Sequence, residues 1–304
     1  MTHLQGKGNV ERFCRLTGVS RASFYRDWQQ SEPDEEEVVL RHRIQQLFIE
    51  HRGHYGVRRM TRLLRMEGRI VNHKRVERLM KSDQLLAVGK RRFVPATTDS
   101  NHDLPVYLNL AARVEVTAIN QVWVADITYI RLRRQFVFLA VVIDVYSRRV
   151  VGRAVSETID TELTLTALKQ ALETRSPQPG LVHHSDQGVQ YAAHSYVEEL
   201  NAHGIVPSMS RPGNPYDNAF CETFMKTLKK EEVHCCEYKN LKDLTTHIEA
   251  FIDGYYNQQR LHSALGYLSP ANFEAAVIGA TANDLDAAPR MKYFQAPKKA
   301  VTVT

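Results

Sequence analysis

Three acidic residues occupy positions where the local sequence disfavours an acid. Asp126 interrupts the apolar run Val122 to Ile130. In a strand it would share a face with Val124 and Thr128. A lone carboxylate on such a face must be protonated or find a partner, and a divalent cation is one such partner. The bland reading is an Asp bonding backbone amides at a strand end. Asp186 closes the short apolar segment that begins at Leu181, ahead of Gln187-Gly188. Ligand-binding residues of α/β sheets favour such strand ends, although a turn-forming Asp looks the same. Glu222 falls on a helical stripe with Asn218, Lys226 and Lys229, roughly opposite Phe220, Phe224 and Leu228. Alone, that stripe reads as a wet surface carrying an i,i+4 ion pair. Together, the three acids would repel one another unless a cation lay between them. Two ions held by such a cluster suit phosphoryl chemistry: one activates an oxygen nucleophile, the other stabilises the leaving oxygen. The lysines would then hold a phosphate backbone.

Positioning these acids needs strands and helices in a particular order. Val122–Ile130 and Phe136–Tyr146 predict strands joined by the RLRRQ hairpin, with Val150–Ser156 a third. A helix is expected over 160–174, a strand over 181–186, a helix over 191–203 and a strand over 205–210. Helices follow over 218–233 and 241–258. The outcome is a mixed sheet covered on both faces. The tail beyond Ala276 carries little apolar periodicity and is expected to be loosely ordered.

The front of the chain differs in charge. Residues 1–95 hold 20 Lys+Arg against 11 Asp+Glu, whereas 96–304 hold 20 against 23, within a net charge of +6. Such asymmetry suggests a polyanion-binding front. Residues 10–28 predict a helix-turn-helix, with Gly18 breaking the first helix and Arg21 on the second. After the acidic segment 31–37, which reads as a linker or helix start, a second basic helical unit runs to about Leu86. It carries Arg58, Arg59, Arg62, Lys74, Arg75 and Arg78, with Asn72 as a cap. A solvated face explains any one basic run as well as DNA does. No stretch is long and apolar enough to span a membrane and no secretory signal is visible, so a soluble, cytosolic protein is expected. With four cysteines and no C-x-x-C pair, a disulfide scaffold and a zinc-thiolate site both read as improbable.

Several ordered motifs bear a family likeness. Val122-Trp-Val-Ala-Asp126-Ile-Thr-Tyr, His184-Ser-Asp186-Gln-Gly-Val-Gln-Tyr, Ser210-Arg-Pro-Gly-Asn-Pro-Tyr-Asp-Asn-Ala and Glu222-Thr-Phe resemble the catalytic core of IS3-family insertion-sequence transposases, relatives of retroviral integrases. Thirty-five residues separate Asp186 from Glu222, the spacing of that group. Tyr256-Asn-Gln-Gln-Arg-Leu-His-Ser-Ala-Leu-Gly-Tyr-Leu-Ser-Pro matches its C-terminal signature, and the basic stretch 53–86 its upstream helical region. The likeness spans roughly residues 10–276. It implies an RNase H-like fold and assigns Asp126, Asp186 and Glu222 as a catalytic triad holding two Mg²⁺ (or Mn²⁺) ions. Lys229 matches a basic residue near the DNA, with Lys226 beside it. Asp144 and Asn218 are assigned supporting roles around the triad, and Gln187 none. His183, His184 and His262 default to turn or core hydrogen bonds. The family commonly works as a fusion of two reading frames; with no sustained heptad repeat, this chain looks like the second frame.

The resulting domain plan is a helix-turn-helix (1–32), a second DNA-binding unit (33–95), a linker (96–118), the catalytic domain (119–278) and a tail (279–304). The implied function is cleavage and strand transfer of insertion-sequence ends. Water frees a terminal 3′-hydroxyl, which attacks a second phosphodiester with no covalent protein intermediate. Expected partners are double-stranded DNA, further copies of the chain on that DNA, and an upstream-frame protein, at the bacterial nucleoid. Competing readings are a nuclease on the same fold that does not join strands, a non-catalytic DNA-binding regulator, and a paired-carboxylate glycosidase. The last leaves the basic front unexplained.

Overall fold

The computed structural model of the 304-residue chain describes residues 35–85, 104–132, 135–211, 215–279 and 291–292, together with 14–16, 18 and 20. The expected first helix-turn-helix and its Arg21 therefore lie almost wholly outside the described residues. The chain divides into two compact units, Met1–Val88 and Gly89–Thr304.

The described part of the first unit is a three-helix cluster: α1 (Glu35–Glu50), α2 (Val57–Met66) and α3 (His73–Ser82). The acids read as a linker or helix start form the first turn of α1, where Glu35, Glu36 and Glu37 complement the helix dipole. Leu40, Ile44, Leu47, Met60, Leu64, Val76 and Leu79 close the core. The α1–α2 turn passes through Gly53 at φ +71°, a left-handed conformation that a side chain resists. The Asn72 side chain accepts from the Lys74 amide at 2.9 Å, capping α3 as expected.

In the second unit the elements run β1 (Glu115–Val116), β2 (Val122–Leu132), β3 (Gln135–Asp144), β4 (Val150–Ser156), α4 (Thr161–Arg175), β5 (Val182–Ser185), α5 (Val189–Ala192), α6 (His194–Ala202) and β6 (Val206–Met209). Then come α7 (Ala219–Leu228), α8 (Leu241–Glu249), α9 (Pro270–Gly279) and β7 (Met291–Lys292). The main sheet has the order β4-β3-β2-β5-β6, antiparallel from β4 to β2 and parallel from β2 to β6. Strand alternation sends Val122, Val124, Leu139 and Val141 into a core with α7, α8 and α9. Trp123, Ala125, Ala140 and Val142 face α4 and α6. Helix α4 lies directly on β4: a Cβ added at Gly152 would fall 2.1 Å from the Ala167 carbonyl oxygen.

The structure departs from the sequence reading in five places. The hairpin strands extend to Leu132 and resume at Gln135, taking in residues assigned to the turn. The helix expected over 191–203 breaks at Ala193, whose ψ of 138° is extended. Both late helices finish in wider π turns, Lys229–Val233 and Ala250–Asn257. Residues 104–118, expected as linker, instead pack on the sheet, with Ala111 and Val116 fully buried. The reason is a polar anchor: the Ser208 hydroxyl oxygen accepts from the amides of Leu110 (2.9 Å) and Ala111 (3.3 Å). In the tail, Met291 and Lys292 pair antiparallel with Val116 and Glu115.

Edge strand β4 carries a bulge opposite Val142 and Ile143. The Asn257 side chain there donates to the Val150 carbonyl at 3.0 Å and accepts from its amide at 3.1 Å. Gln170 of α4 accepts from the Arg153 amide at 2.7 Å.

Candidate active site

The site is assembled where parallel strands β2 and β5 lie side by side. Val122 pairs with Val182 and Val124 with His184, so continuing that register sets Asp126 level with Asp186. Both acids share strand parity with residues packed beneath α7. The start of α7 is tied to this point by Asn218, whose side-chain amide donates to the Ala125 carbonyl at 2.9 Å. Glu222 lies one turn further along α7, exposed and ion-paired with Lys226, while Phe224 and Leu228 are buried beneath the helix. The expected two-faced helix is what forms.

The electrostatics agree with the placement. Burial, then the facing Asp186 and more weakly Glu222, push the Asp126 carboxyl up to about 7, against one backbone donor (Ile127, 2.8 Å) and the pull of Lys229. Asp186 takes the Gly188 amide at 3.0 Å on Oδ1. Lys229 lies half-buried with its ammonium 4.3 Å from the Tyr129 ring centroid, and burial holds its pKa below the usual lysine value. Glu222 and Lys229 therefore act on Asp126 with opposite charges.

The three carboxylates do not close as tightly as a single ion demands. Among the described residues, the group whose ligand atoms all lie within 4.8 Å of one another is elsewhere, at Glu232, Cys236 and His247. Two ions about 3.5–4 Å apart, each with oxygens at about 2.1 Å, need only a span of about 8 Å. Three hard carboxylate donors, with no thiol or imidazole among them, fit Mg²⁺ or Mn²⁺.

Asp144 has a different job. Fully buried as the last residue of β3, it accepts from Asn120 N (2.6 Å), Ser147 N (2.8 Å) and Ser147 Oγ (3.0 Å). Facing Trp123 in the β-ladder, it lies three rungs from Asp126. His183 and His184 are core residues that burial keeps neutral, lowered to about 3 and about 4. They bond Tyr196 (3.1 Å) and Ser208 (2.9 Å). His262 packs against the Tyr256 ring. In the first unit Arg75 and Arg78 pair with acids of α1, Arg59 lies over Tyr55, and Arg58, Arg62 and Lys74 are exposed.

Three features escaped the sequence reading. Cys221, adjacent to Glu222 and so on another face, is buried under the acids, and burial with Asp126 and Asp186 nearby keeps its thiol protonated. Tyr191 is buried beside the same two aspartates. Buried Asp217 takes the backbone and guanidinium of Arg211, which holds its carboxyl below the usual range and fastens the segment leading into α7. The signal for Asp217 was its place in the Ser210–Ala219 motif, and for Tyr191 its place at the end of the His184–Tyr191 motif; nothing in the pattern marked Cys221.

Models of the integrase core domain match residues 116–215 and 203–270, and one of an HTH-like domain matches 33–93. The chain is 42% identical over 264 residues to an uncharacterized 31 kDa protein of insertion element IS600 from Shigella sonnei, covering 86% of this chain and 96% of that one. It is 39% identical over 239 residues to the transposase for IS904 of Lactococcus lactis, covering 79% and 94%. Against the transposase InsF for IS3A of Escherichia coli it is 33% identical over 281 residues, covering 89% and 95%. Among solved structures, the HTLV-2 integrase catalytic core domain in complex with magnesium aligns over 51% of this chain and 97% of that one, at 17% identity and a TM-score of 0.39. The architecture is an α/β, RNase H-like mixed sheet flanked by helices and preceded by a helical HTH-like region. No helix among the described residues is long and apolar enough to cross a membrane. The chain belongs to the IS3 family of insertion-sequence transposases.

Proposed function

We propose that this transposase cuts and joins DNA strands at insertion-sequence ends through Asp126, Asp186 and Glu222. The observation that carries the reading is the parallel pairing of β2 with β5, whose register leads Asp126 and Asp186 to the same end of the sheet, where burial, then Asp186 and more weakly Glu222, raise the proton affinity of Asp126. The three carboxylates are the ligands for two Mg²⁺ or Mn²⁺ ions. Once bound, the ions supply activation of the attacking oxygen and stabilisation of the departing one. The protein contributes the rest. Asp126 and Asp186 fix the ligand geometry from the rigid sheet, and Glu222 completes it from α7 by turning from Lys226. Lys229 and Lys226 hold the phosphate backbone beside the acids. An oxygen nucleophile, first water and then the freed 3′-hydroxyl, forms the new bond to phosphorus as the bond to the leaving 3′-oxygen breaks. No protein side chain becomes covalently attached.

The domain plan of two front DNA-binding units and a catalytic domain belongs to the same reading, with 104–118 now part of the catalytic body. In the front, Arg21, Arg58, Arg59, Arg62, Lys74, Arg75 and Arg78 contact DNA. Joining two ends requires at least two copies on the DNA, with an upstream-frame product as a candidate partner. The test is an assay following a labelled 3′ end from terminal-repeat DNA into a second duplex. Magnesium-dependent joining lost in Asp186→Asn supports the proposal. Cutting without joining favours a nuclease, and undiminished joining by Asp186→Asn overturns the assignment.

A further inference from the structure

Beyond the sheet acids, one cluster has the chemistry of a softer metal. Glu232 sits in the π turn that continues α7, Cys236 in the loop that follows, and His247 on α8. One ligand atom from each lies within 4.8 Å of the other two. Two already meet, with His247 Nδ1 3.1 Å from Glu232 Oε1. The Glu232 side chain is 1% exposed and that of His247 is 42% exposed, so the group opens to solvent on one side. The other imidazole nitrogen, Nε2, faces Asp243 Oδ1 at 3.9 Å. Asp243 is itself fixed, accepting the Lys239 amide at 2.8 Å. A carboxylate behind a histidine is the arrangement that orients imidazole toward a metal. Of the two adjacent cysteines, Cys236 joins the group, while the Cys235 thiol lies 3.4 Å from the Lys230 carbonyl.

We propose that Glu232, Cys236 and His247 form a zinc site, separate from the sheet carboxylates, that staples the end of α7 to α8. A thiolate, an imidazole and a carboxylate together suit Zn²⁺ and are poor ligands for Mg²⁺. Ligand atoms of tetrahedral zinc lie about 3.3–3.8 Å apart, so closing the group needs side-chain shifts of about 1 Å. Water fills the fourth position on the open side. Binding deprotonates the thiol, leaves the imidazole neutral and displaces its hydrogen bond to Glu232. The staple joins the two helices across residues 234–240 and so steadies the helix that bears Glu222.

The test uses the full chain, stripped of metal and exchanged against zinc. One equivalent per chain is expected, with a rise in Tm. Cobalt in place of zinc should give a thiolate-to-metal charge-transfer band in the near ultraviolet. That band and the equivalent of zinc should vanish in Cys236→Ala and His247→Ala, and persist in Cys235→Ala and Asp126→Asn. Asp243→Asn should weaken zinc binding about ten-fold. Less than about a tenth of an equivalent bound by the unaltered protein overturns the proposal. So does a cobalt band that survives Cys236→Ala or disappears in Cys235→Ala. Circular dichroism checks that each variant folds, and the unaltered protein's stoichiometry and Tm shift decide the matter if Cys236→Ala does not.

Discussion

Asp126 and Asp144 stand on neighbouring strands of one sheet, and burial raises the proton affinity of both. Their surroundings differ. Asp144 receives three donors from Asn120 and Ser147, all within its own corner of the chain. Asp126 receives one, from the next residue, and faces Asp186 and Glu222 instead. A buried acid saturated with amides builds a turn. One left with few donors and facing other acids is suited to a cation. Exposure and donors separate the two together: Asp144 is fully buried and well supplied with donors, whereas Asp126 is only part-buried and has a single backbone donor.

The contrast predicts opposite phenotypes. Asp126→Asn should lower strand joining on the order of 10³-fold while leaving the circular dichroism spectrum intact, since it removes charge from the reacting centre. Asp144→Ala should behave conversely, losing about 3 kcal/mol or more in urea unfolding because buried donors are left unmatched. Joining per folded molecule should survive in Asp144→Ala, and a matching loss of activity would dissolve the distinction.

The pH dependence sharpens the comparison further. Asp126 rises from an ordinary 3.8 to about 7, so the folded chain holds this proton more tightly than the unfolded chain does. Its contribution to stability is complete below about 4 and is lost as pH climbs through about 7. Thermal melts in chelator should show that decline. Mg²⁺ should flatten it by favouring the ionised form, and Asp126→Asn should lack it; an unchanged slope in Asp126→Asn would assign the decline to another group.

Lysines give the smallest effects. Lys229→Gln should weaken DNA binding and reduce the slope of log affinity against log salt by about 0.9. Lys226→Gln should cost stability no more than about 1 kcal/mol, because its pair with Glu222 is exposed. Equal salt slopes in Lys229→Gln and the unaltered protein would place Lys229 away from the phosphates.

Much of this was legible before any coordinates. Asp126 betrayed itself as an acid inside an apolar strand, and α7 declared its two faces through Phe224 and Leu228 on one side and Glu222 on the other. What stayed hidden depended on tertiary packing. Residues 104–118 carry too little periodicity to reveal that Ser208, about a hundred positions away, would anchor them. Cys221 shares no helix face with Glu222, yet depth beneath the sheet acids brings it to them. Glu232, Cys236 and His247 follow no zinc-ligand spacing, because a π turn, a loop and a second helix assemble them.

The two side-chain amides on β4 bear on how copies of this protein can gather. An open sheet border normally invites another chain to extend the ladder. Here Asn257 occupies both hydrogen-bonding groups of Val150, and Gln170 takes the free amide of Arg153. A second molecule could add a strand at that border only by evicting both. Strand addition along this stretch of β4 is thereby disfavoured.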